Sequence, residues 1–382
     1  GGTSCMKIEK INLHIVCQKL GEKSFCYSQA WYNTRSMLLL EMITDDGIIG
    51  WGEAFGNPFV NRAIIEQIYA PLVLGKDPFD RRIIWETLYN VLRDHGQKGA
   101  VIEAISAVDL AIWDILGKFL KKPVYQLLGG SGRNEIIPYA TGFYRTRDTK
   151  RKDLVKEASE YCEQGWRGMK VKVGFGIEED AQTVREIRRE IGEERLLMVD
   201  ANHAYNACDA LRLARKIEDC NIAWLEEPVP PEDLEGYQEV KAGTAIPIAG
   251  GEAEFTRYGF ARLMGSRGID IVQPDCCVTG GLSEFSNIAM LATIHNIRCC
   301  PHIWGSAVAV QAGIQAAFSL PDYPNSLNPA PVLLEYDRTP NVFREELNEI
   351  PLNIYDGKLG LPEEPGLGVS VNRELIRRYQ VN

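Results

Sequence analysis

At 382 residues, 45% hydrophobic and 25% charged, the chain can bury a large core and has the composition of an α/β enzyme of one or two domains. Its formal net charge of -10 sets an acidic surface against nucleic acid and anionic membranes, and no apolar run reaches the ~20 residues that span a bilayer. A cytoplasmic protein with a small-molecule partner is therefore expected, with no nucleic-acid or membrane partner.

In chain order, Gly1 to Cys5 stand ahead of Met6 in a chain that opens properly with MKIEKINL, and they are expected to be an expression scar. KIEKINLHIV and SMLLLEMITDDGIIGWGEA, with a turn at Asp46-Gly47, predict a meander of antiparallel strands. Helical periodicity then runs from Asn61 to about Lys121, clearest in AVIEAISAVDLAIWDILGK, until Pro123 and the LLGGSG segment interrupt it. Residues 6–132 thus read as an N-terminal α+β domain. From Ile136, strand and helix alternate through YATGF, GMKVKVG, LLMVDAN, IAWLEEP, IPIAGGE, IDIVQPD, IRCCPHI and LLEYD. Eight strands separated by helices predict a parallel sheet closed into a barrel over residues 133–345. Residues 346–382 return to strand and turn chemistry and are expected to rejoin the N-terminal domain. Without a long linker, that domain should pack on the barrel as a lid over its mouth. The ten cysteines include no CxxC and are expected to be buried thiols.

The barrel segment carries an acidic period. Asp200, Glu226 and Glu252 follow one another at intervals of 26 residues, each closing an apolar run. One strand, loop and helix unit of a parallel barrel has about that length, so successive strands would deliver a carboxylate each to the same rim. Such hard oxygen ligands suit Mg²⁺ better than zinc. On the preceding strand, Lys170 and Lys172 alternate with Met169, Val171 and Val173. The lysines would face the barrel interior while the apolar residues pack on helices. Two lysines on a solvated strand are the plain alternative. Further along, Asp275 and His302 end neighbouring strand candidates, where a carboxylate could orient an imidazole as a general acid or base; a histidine capping the loop before Ser306 would look the same. Glu335 ends the last strand and could hydrogen-bond a substrate oxygen. A cation site flanked by lysine and a His/Asp pair suits removal of a proton α to a carboxylate, which needs stabilisation of the enediolate and bases on opposite faces.

KVK at Lys170 to Lys172, DAN at Asp200, EEP at Glu226, GGE at Glu252, QPD at Asp275 and PH at His302 stand in the order of the enolase superfamily, mandelate racemase subgroup, which the chain resembles from Met6 to Asn382. The resemblance implies a (β/α)7β TIM-like barrel with an α+β capping domain formed by the N-terminal region and the C-terminal tail. It also implies Mg²⁺ on Asp200, Glu226 and Glu252, with Lys172 and the His302/Asp275 dyad as acid/base catalysts. Lys170 would neutralise the substrate carboxylate, and Glu335 would hydrogen-bond at its oxygen. Asp275, followed by Cys276 and Cys277, stands where muconate-cycloisomerase-like and dipeptide-epimerase-like relatives place a lysine, which disfavours both.

LYNVLRDHGQKG, VDANHAY, PHIWGSAV and EYDRTPNVFR look most like galactarolactone cycloisomerases, which convert the lactone into a 2-keto-3-deoxy aldarate. Aldonate or aldarate dehydratases, racemases or epimerases, and a non-catalytic sugar-acid-binding protein are the competing readings. Substrate contacts are expected from the cap loops around Lys19 to Tyr32 and Phe55 to Asn61, with Tyr27 and Trp31 as candidates that could equally be packing, and near the mouth from Asn202, His203 and Trp304. A homo-oligomer, dimer or octamer, is common in such enzymes.

Overall fold

The computed structural model describes residues 5–382; Gly1 to Ser4, most of the expected scar, lie outside the described residues. The cap begins with β1 (Ile8–Lys19), β2 (Phe25–Cys26), β3 (Trp31–Tyr32), β4 (Thr34–Thr44) and β5 (Ile49–Ala54). The helices α1 (Pro58–Ile64), α2 (Ala70–Val73), α3 (Arg81–Leu92), α4 (Ala100–Leu120) and α5 (Val124–Leu127) follow. β1, β4 and β5 form the antiparallel meander, turning at Gly47 with φ of +86°.

Next come β6 (Glu135–Gly142), α6 (Arg151–Glu163), β7 (Gly168–Lys172), α7 (Ile177–Ile191), β8 (Leu196–Asp200) and α8 (Ala207–Ile217). The barrel continues through β9 (Ile222–Glu226), α9 (Leu234–Gly243), β10 (Ile248–Gly250), α10 (Thr256–Gly265), β11 (Ile271–Val272) and α11 (Gly281–His295). It closes with β12 (Arg298–Cys299), α12 (Ala307–Ser319) and β13 (Leu333–Asp337), which returns to pair in parallel with β6. Seven strand-helix units and a final strand make a (β/α)7β barrel. Its interior is filled by Tyr139, Met198, Trp224, Ala249, Ile271 and Cys300, and the outward residues of β7 and β8 pack against α6, α7 and α8.

The tail serves both units. After α13 (Val342–Glu346), β14 (Ile354–Tyr355) and β15 (Lys358–Gly360) form a hairpin in which β15 pairs with barrel strand β6, whereas α14 (Arg373–Tyr379) leads into β16 (Gln380–Val381), which pairs with cap strand β1. No helix among the described residues is long and apolar enough to cross a membrane. All ten cysteines are unbridged, and Cys220, Cys276, Cys277 and Cys300 are buried.

The cap is fixed to the barrel through α4, which is apolar nearly all round because both faces are covered, by β4 and β5 on one side and α11 on the other. β5 allows this approach because Gly50 and Gly52 share one face; a Cβ at either would run into the backbone carbonyls of Ala111 and Ala107 on α4. Alternation then sends Trp51 and Glu53 to the other face, toward the barrel. Trp51 joins a core shared with Val308, Ala309 and Ile314 of α12. Asp109 on α4 accepts hydrogen bonds from the Ser283 amide at 2.9 Å and hydroxyl at 2.5 Å, and Trp85 Nε1 donates to the Gly280 carbonyl at 2.8 Å.

Substituting Gly52→Ala should therefore force α4 off β5 and lower unfolding stability by about 1–3 kcal/mol. Gly265→Ala, whose added Cβ meets nothing within 4 Å, should be neutral or slightly stabilising. Urea unfolding of the two variants beside the wild type checks the contrast.

Candidate active site at the barrel mouth

Strand register assembles the carboxylates. Lys172 on β7 is paired with Asp200 on β8, and Asp200 with Glu226 on β9, so the ends of three neighbouring strands are level. Glu252 lies two residues beyond β10, and one oxygen from each of Asp200, Glu226 and Glu252 falls within 4.8 Å of the others. Asp200 and Glu226 are completely buried. Burial and the neighbouring Asp200 push the Glu226 carboxyl up to about 7, the direction expected for like charges confined to one site. Glu252 Oε2 is buried without a hydrogen-bond partner among the described residues. Three converging hard oxygen donors, one of them unsatisfied, fit a divalent cation bound by Asp200, Glu226 and Glu252.

The interior lysines are held inside this acidic frame. Lys170 Nζ lies 2.7 Å from both Glu226 Oε1 and Glu335 Oε2 and 3.7 Å from Asp200 Oδ2. Lys172 Nζ donates to Asp200 Oδ2 at 2.6 Å and Asn202 Oδ1 at 3.0 Å. Burial opposes both charges, but the surrounding carboxylates outweigh it and hold both ammonium groups well above the usual lysine range. Glu226 is itself oriented by Trp224 Nε1 and Gln273 Nε2, each donating to Oε2 at 2.9 Å.

Across the mouth, His302 Nδ1 lies 2.7 Å from Asp275 Oδ2, while Nε2 lies 3.5 Å from Glu252 Oε2 and 3.8 Å from Glu335 Oε1. Burial disfavours the imidazolium, but Glu252, Glu335 and Asp275 prevail and push its pKa up to about 10. Asp275 is fixed by the Cys277 amide at 2.7 Å, and Glu335 by the Ile303 amide at 3.1 Å and the Thr141 hydroxyl at 2.5 Å. Asp275 and His302 lie three residues beyond β11 and β12, in loops and not on the strands themselves. Pro274 and Pro301, which lack an amide hydrogen, stand at those exits.

A cavity of about 110 Å³ is lined by Lys172, Asn202, Glu252, His302 and Glu335 below, and by Tyr27, Tyr32, Phe55, Tyr144, Thr141 and Trp304 around and above. The cap loop is tied down over it. Cys26 and Arg145 exchange backbone hydrogen bonds at 2.7 and 3.0 Å, and Gln29 Nε2 donates to the Asn202 carbonyl at 2.9 Å.

Trp31, on β3, is half exposed and outside this lining; alternation gives the place to Tyr32. His203 also lies outside it, its amide donating to the Glu227 carbonyl at 2.8 Å. Asn57 caps α1, accepting from the Phe59 and Val60 amides. Thr141 and Tyr144 were not anticipated. Thr141 shares the inward face of β6 with Tyr139, a period-2 signal present in the sequence, whereas Tyr144 lies beyond the strand and had none. A larger apolar cavity of about 270 Å³ lies at the opposite end of the barrel, around Leu196, Ile271 and Leu333, away from these groups.

Comparison with known proteins places the chain in a family. Residues 10–129 match the family described as Mandelate racemase / muconate lactonizing enzyme, N-terminal domain, and residues 153–375 match Enolase C-terminal domain-like. The chain is 38% identical to a D-galactarolactone cycloisomerase of Agrobacterium fabrum over 98% of this chain and 99% of that protein. It is 34% identical to an arabinonate dehydratase of Saccharolobus solfataricus, over 89% of each. The crystal structure of the 3,6-anhydro-D-galactonate cycloisomerase from Zobellia galactanivorans superposes with a TM-score of 0.90 at 38% identity, covering 98% of this chain and 100% of that one. A carboxylate triad, an interior KVK strand and a His/Asp pair, on a capped (β/α)7β barrel whose two halves match these families, make the chain a member of the enolase superfamily, in its mandelate racemase subgroup.

Proposed function

We propose that the site binds Mg²⁺ and removes the proton α to the carboxylate of a sugar acid or its lactone, with loss of the oxygen on the β carbon. Galactaro-1,4-lactone is the favoured substrate and a 2-keto-3-deoxy aldarate the product. The carrying observation is that Lys172 and His302 line one cavity beside the triad of Asp200, Glu226 and Glu252.

Asp200, Glu226 and Glu252 would hold the cation. When bound, it stabilises the negative charge that develops on the substrate carboxylate as the proton leaves. Lys170, buried between Glu226 and Glu335, adds a second fixed positive charge on the same side. Asp200 both pairs with Lys172 and would help hold the cation, and a positive charge at that carboxylate would offset the field that keeps Lys172 protonated, favouring its amine as a base. His302, kept in one orientation by Asp275, presents Nε2 to the cavity as the complementary acid or base. One of the two takes the α proton; the configuration of the substrate decides which. The C–O bond at the β carbon then breaks, its electron pair leaving with the ring oxygen. The resulting enol takes a proton on carbon to become the ketone, so a lactone gives an isomer with no atom gained or lost. The aromatic wall of Tyr27, Tyr32, Phe55, Tyr144 and Trp304 excludes water, which strengthens each of these electrostatic effects.

A dehydratase is the second reading, supported by the arabinonate dehydratase relative. It uses the same proton abstraction but expels a hydroxyl group as water from an open-chain acid.

Proton NMR of the Mg²⁺-loaded enzyme in D₂O, with sugar acids and their lactones, should show a 2-keto-3-deoxy product that forms faster from galactaro-1,4-lactone than from any open-chain acid. The reverse preference would establish the dehydratase, and α deuteration without elimination a racemase. Independently of turnover, Mg²⁺ at ~100 times its dissociation constant should stabilise the fold by about 2.7 kcal/mol. In a thermal melt, EDTA should abolish that gain, and Asp200→Asn should not show it at the same Mg²⁺ concentration.

A further inference from the structure

Behind Trp304, a second cavity of about 190 Å³ is bounded by Tyr32, Arg35, Glu53, Phe55, Trp304 and Gly305, with the hydroxyl-bearing Thr34 and Ser36 at its edge. Tyr32, Phe55 and Trp304 belong to both cavities, so a substrate seated between Lys172 and His302 abuts the second chamber. Arg35 is only 3% exposed, and its guanidinium lies over the Trp304 ring at 3.7 Å.

Two of the residues that bound it, Arg35 and Trp304, carry unused donors. Arg35 Nη1 donates to Asp337 Oδ2 at 3.1 Å and Thr339 Oγ1 at 2.6 Å, but Arg35 Nη2 and Trp304 Nε1 are buried with no hydrogen-bond partner among the described residues. The nearby carboxylates are engaged elsewhere. Asp337 also accepts from Arg344 Nη1 at 2.9 Å and from the Thr339 amide at 2.8 Å, and Glu53 accepts from both the amide and the hydroxyl of Ser306. Buried donors without acceptors are rare in folded proteins, because each forfeits its hydration. Two on neighbouring residues that bound one chamber call for a ligand that brings acceptors. Burial pushes the Glu53 carboxyl up to about 7, which limits its repulsion of an incoming anion.

We propose that this chamber is a distal subsite, in which Arg35 Nη2 and Trp304 Nε1 donate to the oxidised far end of the substrate, a carboxylate or a lactone carbonyl. Such a group offers acceptors only, whereas a primary alcohol brings a donor of its own. The subsite therefore selects aldaric acids and their lactones, oxidised at both ends, over aldonic acids, oxidised at one. This rests on the reading of the first cavity as a sugar-acid site, and it separates substrates that the similarity to both galactaric and galactonic enzymes leaves together.

The test is calorimetric titration of the Mg²⁺-loaded protein with galactarate and with galactonate, which differ only at the distal carbon. Wild type should bind galactarate about 10-fold or more tighter, the worth of one good hydrogen bond to a charged group. Trp304→Phe keeps a ring beneath Arg35 and removes the N–H; it should weaken galactarate by about 10-fold and galactonate by less than about 3-fold. Arg35→Lys, which keeps a charge for Asp337, should act in the same direction and guards against a misfolded variant. Equal affinity of wild type for the two acids, or equal losses for both in Trp304→Phe, would overturn the subsite. Exchange of the α proton in D₂O, followed on the same samples, reports the parent reading separately: strong discrimination without exchange removes the reaction and keeps the subsite, and exchange without discrimination does the reverse.

Discussion

Two lysines placed on the inner face of a barrel strand set the terms for the rest of the molecule. Moving an ammonium group out of water costs several kcal/mol even after relaxation, and a buried charge persists only where opposite charges and hydrogen bonds offset that cost. Lys170 and Lys172 meet that condition through Asp200, Glu226 and Glu335, on strands to either side. The carboxylates have the reciprocal problem: crowded together and buried, they need the positive charge of the lysines. Neither set is tenable without the other. The constraint is enforced by strand register, since a slip of one residue in β7 would turn both lysines onto the helices and bring Met169, Val171 and Val173 into the polar mouth.

The cap makes this arrangement chemically useful. Its strand β5 is pressed against α4 on the glycine face, and the opposite face carries Glu53 to the amide and hydroxyl of Ser306, which caps the N-terminus of α12. The segment held there follows directly from His302 and Trp304, so the packing of the cap and the placing of the His302 imidazole are one structural problem. Arg35, Asp337 and Arg344 form a second buried tie between cap strand β4 and the end of the barrel. Removing Asp337 would leave the buried Arg35 without its ion-pair partner, a loss of roughly 3–5 kcal/mol.

Much of this was legible in the chain. The interval separating Asp200, Glu226 and Glu252 equals the length of a strand-loop-helix unit, and the alternation of Lys170 and Lys172 with apolar residues matches the period of a strand; both are local signals, and all eight predicted barrel strands are present. What escaped depends on contacts distant in sequence. β2 and β3 are two residues long, too short for periodicity to say whether Trp31 or Tyr32 faces inward. Arg35 has no local signal, because its partners Asp337 and Trp304 come some three hundred positions later. The division of the tail, with β15 on the barrel and β16 on the cap, likewise has no signature in a run of short strands and turns.

If Lys172 and His302 act on one α carbon, Lys172→Met and His302→Asn, each Mg²⁺-loaded and shown to be folded, should differ in a defined way when elimination and α-deuterium incorporation are followed together in D₂O. Elimination should fall at least ~100-fold in both variants, the usual contribution of a positioned acid or base. Exchange at the α carbon should survive in only the variant that keeps the abstracting base. Elimination near the wild-type rate in either variant would mean that the two residues do not share that carbon.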